Sequence, residues 1–250
     1  MKVLLALPAY NEERALPSLL DRFRLEMGRA GYASQVIVVD DGSTDGTRRV
    51  VASWSRELPV ELILHPVNQG LGAALRDGLR RAVELAAPDD VIVTMDADNT
   101  HPPELIPAMV HAIAAGSDVV IASRYRRGSR VAGLSAVRHV MSFGARVLFT
   151  LAFPIRGVRD YTSAFRAYRP QVLERAFAED GKLVTESGFA SMPELLLRLR
   201  KANARCRELP MVLLYDHKCS ASKMDVAGTA WKTLCMIARL RIAGNGPRWR

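Results

Sequence analysis

Cysteine is scarce in this chain of 250 residues: Cys206, Cys219 and Cys235 all lie late, with no C-x-x-C spacing. An odd, scattered set excludes a disulfide framework and a structural zinc site, and fits a reducing cytosolic compartment. Long apolar runs are also missing. A membrane span needs about 18–20 apolar residues, and the nearest approach, Val140–Ile155, is interrupted by Arg146. The opening run Val3–Leu7 ends at Pro8 and the acidic Glu12-Glu13, too soon for a secretory signal. A soluble or peripheral protein is expected. No G-x-x-x-x-G-K-[ST] occurs, which excludes a P-loop, and Gly70-Leu71-Gly72 lacks the third glycine of a dinucleotide fingerprint. Acids are absent from one long stretch: between Val119 and Arg159 there is no Asp or Glu, yet there are eight arginines.

What is present is an ordinary globular composition, 49% hydrophobic and 24% charged with a net charge of +9. That is enough to bury one large domain, or one domain and an extension. Apolar strand-like runs at Val3–Leu7, Gln35–Val39, Val60–Leu64, Val91–Met95 and Asp118–Ala122 alternate with helix-period segments. The helical segments fall near Glu13–Ala30, Thr44–Glu57, Leu71–Ala86 and Pro103–Ala115. Continuous apolar strands separated by helices predict an α/β fold, a mainly parallel sheet covered on both faces. Ligands bind such sheets at the carboxyl ends of the strands. Polar clusters sit there: Pro8 to Glu12, Asp40 to Ser43, and Asp96 with Asp98.

Asp96 and Asp98 leave a core strand one residue apart, so in extended backbone their carboxylates aim the same way. Two like charges so close call for a cation between them, and a hard divalent ion with oxygen ligands is the natural one. An Asx-type turn before Pro102-Pro103 is the bland alternative, as helix capping is for Ser43, Thr44 and Asp45. Gly70 and Gly72 allow a helix N-terminus to approach a nucleotide or another loop closely.

Together, PAYNEE, VVDDGSTDGT, NQGLGAALRDG, MDADNTHPPEL, SRYRRG and YTSAFRAYR resemble glycosyltransferase family 2, in order and at its usual spacing, from about Val3 to Lys223. More narrowly they are similar to the polyprenyl-phosphate (dolichol-phosphate) mannosyl- and glucosyltransferases. The resemblance implies a GT-A fold, a nucleotide-diphosphate sugar donor such as GDP-mannose or UDP-glucose, and Mg²⁺ or Mn²⁺ held by Asp96 and Asp98. It places Pro8, Tyr10, Glu12, Asp40, Asp41, Gly72, Asp96 and Lys223 on the nucleotide sugar, Lys223 closing over its phosphates. These relatives commonly carry a Gln two residues after the second acid. Thr100 stands there, so Thr100, Asn99 or water is left to complete the metal's ligands.

The acceptor is the discriminating question. A sugar hydroxyl needs a general base, and Thr185-Glu186-Ser187 lacks the second acid of the usual pair. A polyprenyl phosphate needs no base, only cations to hold it in line. The resemblance assigns Arg124, Arg138 and Ser142 to that phosphate, with Asp98, Arg124 and Arg138 as catalytic residues. A hydroxyl acceptor, with Glu186 or Asp160 as base, is the alternative.

The arginine-rich stretch 124–156 then reads as helices meeting phosphate and lipid, or as a buried helix whose arginines snorkel. Glu194 matches a family acid, and Ser191 to Glu194 also reads as a capping box. His101 reads as a donor contact or a turn brace. Residues 1–222 are expected to form the transferase domain and 223–250 an amphipathic helix with a basic tail. In that helix Trp231, Leu234, Cys235, Ala238 and Ile242 form one stripe, and Lys232, Met236 and Arg239 another. The helix either docks on the domain or anchors it to anionic lipid. Localisation is expected at the cytoplasmic membrane face, peripheral or through a membrane-anchoring partner protein. Nucleic acid would suit the net charge but leaves the Asp96–Asp98 pair unexplained, so no nucleic-acid partner is expected.

Overall fold

The computed structural model describes residues 1–133, 136–180, 183–214 and 234–239. Seven strands form one sheet in the order β3-β2-β1-β4-β7-β5-β8. They are β1 (Lys2–Ala9), β2 (Ala33–Asp41), β3 (Val60–His65), β4 (Val91–Thr94), β5 (Val119–Ser123), β7 (Arg166–Tyr168) and β8 (Cys206–Pro210). Six run parallel, and β7 runs antiparallel between β4 and β5. The five predicted strands are therefore present, joined by two that apolar runs did not mark. A second, two-stranded sheet pairs β6 (Arg130–Ala132) with β9 (Val212–Leu214).

Burial on both faces explains the apolar strands. Leu4, Val36, Val38, Ile92 and Val120 are all wholly buried. One core layer packs α1 (Leu16–Ala30) and α4 (Ile106–Ala114) on the sheet through Leu16, Leu19, Phe23 and Met109. The other layer packs α3 (Leu71–Leu85), α5 (Ala136–Ala152), α6 (Pro170–Asp180) and α7 (Ser191–Lys201) through Leu75, Leu79, Phe149, Leu173 and Leu196. The short helix α2 (Thr47–Trp54) follows β2.

Because β2 and β4 flank β1 on opposite sides, the strand order reverses at β1 and opens a crevice at its carboxyl end. Residues 8–12, 40–46 and 95–101 border that crevice. The start of β7 lies level with Thr94 and Ile121, so Asp160 to Phe165 enter at the same edge.

Among the described residues no helix is long and apolar enough to cross a membrane. In the stretch 234–239, Met236 is buried in the second core layer with Ile237 against it, while Leu234, Cys235 and Ala238 face outward. Docking therefore uses Met236, and the described members of the other predicted stripe, Leu234, Cys235 and Ala238, are left at the surface. Trp231, Lys232 and Ile242 lie outside the described residues, as does Lys223.

Candidate active site

The loops after β1 and β2 are stitched together by short polar side chains. The Asn11 amide donates to Ser43 Oγ (2.9 Å), the Glu12 amide to Thr47 Oγ1 (2.9 Å) and the Thr44 amide to Asn11 Oδ1 (2.8 Å). Asp45 accepts from the amides of Thr47 and Glu13 and from the Thr47 hydroxyl. Burial pushes its carboxyl up, but those donors outweigh burial and hold it below the usual carboxylate range. The D-G-S-T-D segment is thus turn chemistry that fixes the shape of the loop carrying Pro8, Tyr10 and Glu12. Those three residues are half-buried at the mouth of the crevice.

Asp40 and Asp41 diverge, as neighbours on a strand must. The Asp40 side chain is wholly buried, accepting from the Ser43 amide (3.0 Å) and pairing with Arg48. Asp41 points toward α3, where it accepts from the amides of Gln69 and Gly70 (both 2.8 Å) and faces His65 Nδ1 at 2.7 Å. His65 sits directly across from it in the β2–β3 register, and the far ring nitrogen is 3.2 Å from Asp77. The resemblance assigns Asp41 to the nucleotide; here the residue is buried, and its oxygens are engaged by the 69–70 amides and by His65, so it also braces that loop.

Gly72, also assigned to the nucleotide by resemblance, meets a packing constraint as well. A Cβ added there would lie 1.9 Å from the Glu186 carbonyl oxygen, so its lack of a side chain serves the packing of α3 under the 186–188 loop. That obstacle is backbone. We expect Gly72→Ala to lower the unfolding free energy in urea by about 1–3 kcal/mol, the range for an overpacked core site. An unchanged urea midpoint would mean that the 186–188 loop yields freely.

The Asp96–Asp98 pair follows β4 as predicted. Asp98 is nearly buried, and its Oδ1 accepts from both the Thr100 amide (3.2 Å) and the Thr100 hydroxyl (2.7 Å). Asp96 is more open, with 35% of its side chain exposed. Its amide donates to His101 Nδ1 (3.1 Å), so a neutral ring carries its proton on Nε2, 3.9 Å from the Asp96 carboxylate. His101 also packs on Phe165, with centroids 5.4 Å apart. It is a brace of this turn. Asn99 adopts a left-handed backbone and turns away, accepting from Arg22 (2.9 Å) and donating to Ser18 (3.2 Å). Thr100, tied to Asp98, stays beside the carboxylates while Asn99 does not.

At the end of β5, two strands from β4, Arg124 meets a buried acid. Its backbone amide, Nε and Nη2 all donate to Asp160, at 3.0, 2.8 and 2.6 Å, and Nη2 also reaches Thr162. Burial pushes the Asp160 carboxyl up. The Arg124 guanidinium, helped by Arg166, more than offsets this and holds it below the usual carboxylate range. A carboxylate so pinned is a poor proton acceptor, which weighs against Asp160 as a general base.

Sequence reasoning missed what sets Asp160 in place. Glu208 on β8 is buried, and its Oε1 accepts from the amides of Arg159 (2.6 Å) and Asp160 (2.7 Å). Its Oε2 is 2.9 Å from Arg126 Nε but off the N–H axis, leaving both atoms without a hydrogen bond among the described residues. Arg166 was missed too. It is wholly buried and donates to the carbonyls of Met192 (2.9 Å) and Tyr161 (2.7 Å). A charged residue inside a strand or an apolar run is the one signal that could have found both.

Next to Arg124, the Tyr125 hydroxyl meets Ser142 Oγ on α5. Arg138 lies one turn earlier on that helix, its side chain outside the described residues. Burial raises the Tyr125 phenol above its ordinary value despite Arg124, so it stays neutral. Glu194 does not close a capping box. Ser191 is the first residue of α7, while Glu194 accepts from the amides of Thr185 (2.8 Å) and Glu186 (2.7 Å) and pairs with Arg198. The Glu186 carboxylate pairs with Arg239.

Comparison with known proteins agrees with this geometry. The family profile described as "Glycosyl transferase family 2" matches residues 5–177. The dolichol-phosphate mannosyltransferase of Pyrococcus furiosus is 36% identical over 79% of this chain, which spans about half (53%) of that protein. The undecaprenyl-phosphate mannosyltransferase of Micrococcus luteus is 30% identical over 100% of this chain and 96% of its own length. The polyprenol monophosphomannose synthase of Mycolicibacterium smegmatis is 32% identical over 90% of this chain and 81% of its own. Among solved structures, mannosyl-3-phosphoglycerate synthase from Rubrobacter xylanophilus superposes with a TM-score of 0.68 at 19% identity, over 100% of this chain and 77% of that one. Glucosyl-3-phosphoglycerate synthase from Mycobacterium tuberculosis, crystallised with Mn²⁺, UDP and phosphoglyceric acid, gives 0.66 at 20% identity, over 94% and 76%. At such identity the likeness speaks for the fold, which is GT-A-like with a mostly parallel sheet. With paired acids after β4, a stitched loop after β1 and a family profile covering both, the chain is a glycosyltransferase and belongs to glycosyl transferase family 2.

Proposed function

We propose that this enzyme moves one sugar, mannose first and glucose next, from a nucleotide-diphosphate sugar to a polyprenyl phosphate with inversion. The observation that carries the reading is the group at the carboxyl end of β5, two strands from β4 in the sheet. It holds Arg124, Tyr125 and Ser142 with no acid in residues 119–159, and it adjoins an apolar helix face. On α5 Phe143, Val147, Leu148 and Leu151 are exposed, Leu151 by 73%, while Phe149 is buried. A face apolar beside arginine suits a phosphate on a lipid tail at a membrane surface. The names of three relatives support the same acceptor class.

In this reading an oxygen of the lipid phosphate attacks the anomeric carbon, and the bond from that carbon to the nucleoside diphosphate breaks. The phosphate is already ionised near neutral pH, so no base is required. That agrees with an Asp160 pinned by Arg124 and a Glu186 paired with Arg239. Arg124, Arg138 and Ser142 hold the phosphate in line, and Pro8, Tyr10 and Glu12 line the nucleotide's side of the crevice. The donor set at Asp96, Asp98 and Thr100 is all oxygen, which fits Mg²⁺ or Mn²⁺. Such an ion would offset the charge that builds on the departing diphosphate.

The test is transfer of labelled sugar from GDP-mannose and from UDP-glucose to a short polyprenyl phosphate, with Mn²⁺ or with EDTA. Label entering the lipid phase only with metal is expected, and the productive donor names base and sugar. Donor hydrolysis without lipid product would overturn the acceptor and turn attention to hydroxyl acceptors and Glu186.

A further inference from the structure

Arg146 has no place in the reading above, yet its surroundings are unusual. It lies on α5 four residues after Ser142 and eight after Arg138, so the three positions share one face of the helix. Its guanidinium carbon sits 4.9 Å from the centroid of the Tyr125 ring and 5.7 Å from that of Phe143. Arg124 lies against the same Tyr125 ring at 5.6 Å. One phenol therefore carries two guanidiniums, and its hydroxyl holds Ser142.

Two cations on one ring repel unless an anion joins them. Arg124 has Asp160, but Arg146 has no acidic partner among the described residues, and residues 119–159 contain none. Arg146 is half-buried, with exposed Phe143 and Val147 on its flanks, so water screens it incompletely. A stacked guanidinium has lost most of its rotamer freedom and presents its N–H edge in a fixed direction, the arrangement suited to an oxyanion.

We infer that Arg146, held on the Tyr125 ring beside Ser142, is a further binding residue for the acceptor's phosphate. This rests on the proposed lipid-phosphate reading. Tyr125 acts as a positioning residue, coupling Arg146, Ser142 and Arg124. The exposed Phe143 and Val147 then meet the first isoprenoid units.

The experiment measures steady-state kinetics in detergent with a short polyprenyl phosphate, varying acceptor and donor separately, for the wild type, Arg146→Ala, Arg146→Lys and Tyr125→Phe. Arg146→Ala should raise the acceptor KM about tenfold or more, the order for a hydrogen bond to a charged group, with donor KM unchanged. Arg146→Lys should recover only part, because an ammonium keeps the charge without the planar stack. Tyr125→Phe keeps the ring, so it should raise the acceptor KM less than Arg146→Ala does. A calorimetric titration without donor, using a water-soluble short-chain prenyl phosphate and separately inorganic phosphate, should show binding to the wild type that Arg146→Ala weakens. Heat with inorganic phosphate alone would mark the site as one for free phosphate and overturn the lipid acceptor at Arg146. An unchanged acceptor KM in a folded Arg146→Ala would overturn the inference while wild-type lipid labelling kept the broader reading. So would loss of binding to anionic vesicles with detergent kinetics intact, which would make Arg146 a contact for bulk membrane lipid. No lipid label from the wild type would overturn both.

Discussion

Asp98→Asn is expected to abolish sugar transfer while leaving the protein folded. The amide is nearly isosteric and keeps an Oδ1 acceptor, so the hydrogen bonds from the Thr100 amide and hydroxyl survive. What disappears is one of two negative charges two residues apart after β4. Without a cation those charges repel each other, so removing one should not lower stability, and the urea midpoint should stay or rise. In a reaction that expels a diphosphate, the charge those carboxylates manage is concentrated on the leaving group. Losing one group aimed at developing charge costs about 10²–10³-fold in kcat, and a metal ligand belongs at the upper end. EDTA applied to the wild type should give the same loss, and Mn²⁺ should restore the wild type but not Asp98→Asn. Asn99→Ala is the informative contrast. Asn99 is spent on Ser18 and Arg22 of α1, so its loss should appear in stability and leave the metal requirement unchanged. Asp98→Asn retaining most of its activity at limiting Mn²⁺ would remove the pair from the chemistry.

The parts of this protein that could be read in the sequence are those whose partners lie nearby in the chain. Strands β1 to β5 were legible because each carries an apolar run bounded by turn residues, and in the central strands burial on both faces requires that run. The Asp96–Asp98 pair was legible because two-residue spacing after a strand has one geometric meaning. Strand β7 was not. Arg166-Ala167-Tyr168 is short and carries a cation, and the carbonyls that satisfy Arg166 belong to Tyr161 and to Met192, 26 residues away. Asp40 and Asp41 are equivalent in composition, and only the register against His65 sends Asp41 to the 69–70 loop. Glu208 resolves nothing locally, since the amides it binds lie 48 and 49 residues earlier. Sequence locates carboxylates, but burial and long-range donors decide which of them remain available for a ligand.

Arg124→Ala should be the most damaging single change to stability. Asp160 is wholly buried and draws three donors from Arg124, two of them from the guanidinium. Removing the cation strands a carboxylate that Glu208 and the 159–160 backbone still hold in place, and breaking a buried pair in this way costs about 3–5 kcal/mol. Adding Asp160→Asn should return part of that loss, because the stranded charge is gone while the amide still accepts from Ser163. Transfer activity should not return with it if Arg124 holds the acceptor phosphate as proposed, since its guanidinium is still missing. Stability that recovers without activity separates the two roles of Arg124. Recovery of both would reduce it to a structural residue. The pH dependence supplies a second readout with a defined sign. The folded carboxyl titrates below its ordinary value of 3.8, so the unfolded chain takes up this proton first as pH falls. Asp160 therefore contributes fully above the unfolded value, and its contribution drains away as pH drops through the folded one. The wild type should lose unfolding free energy across that acid window more steeply than Asp160→Asn, and urea titrations at pH 3 and pH 6 would measure the difference. Equal slopes would mean that Arg124 does not hold Asp160 ionised in solution.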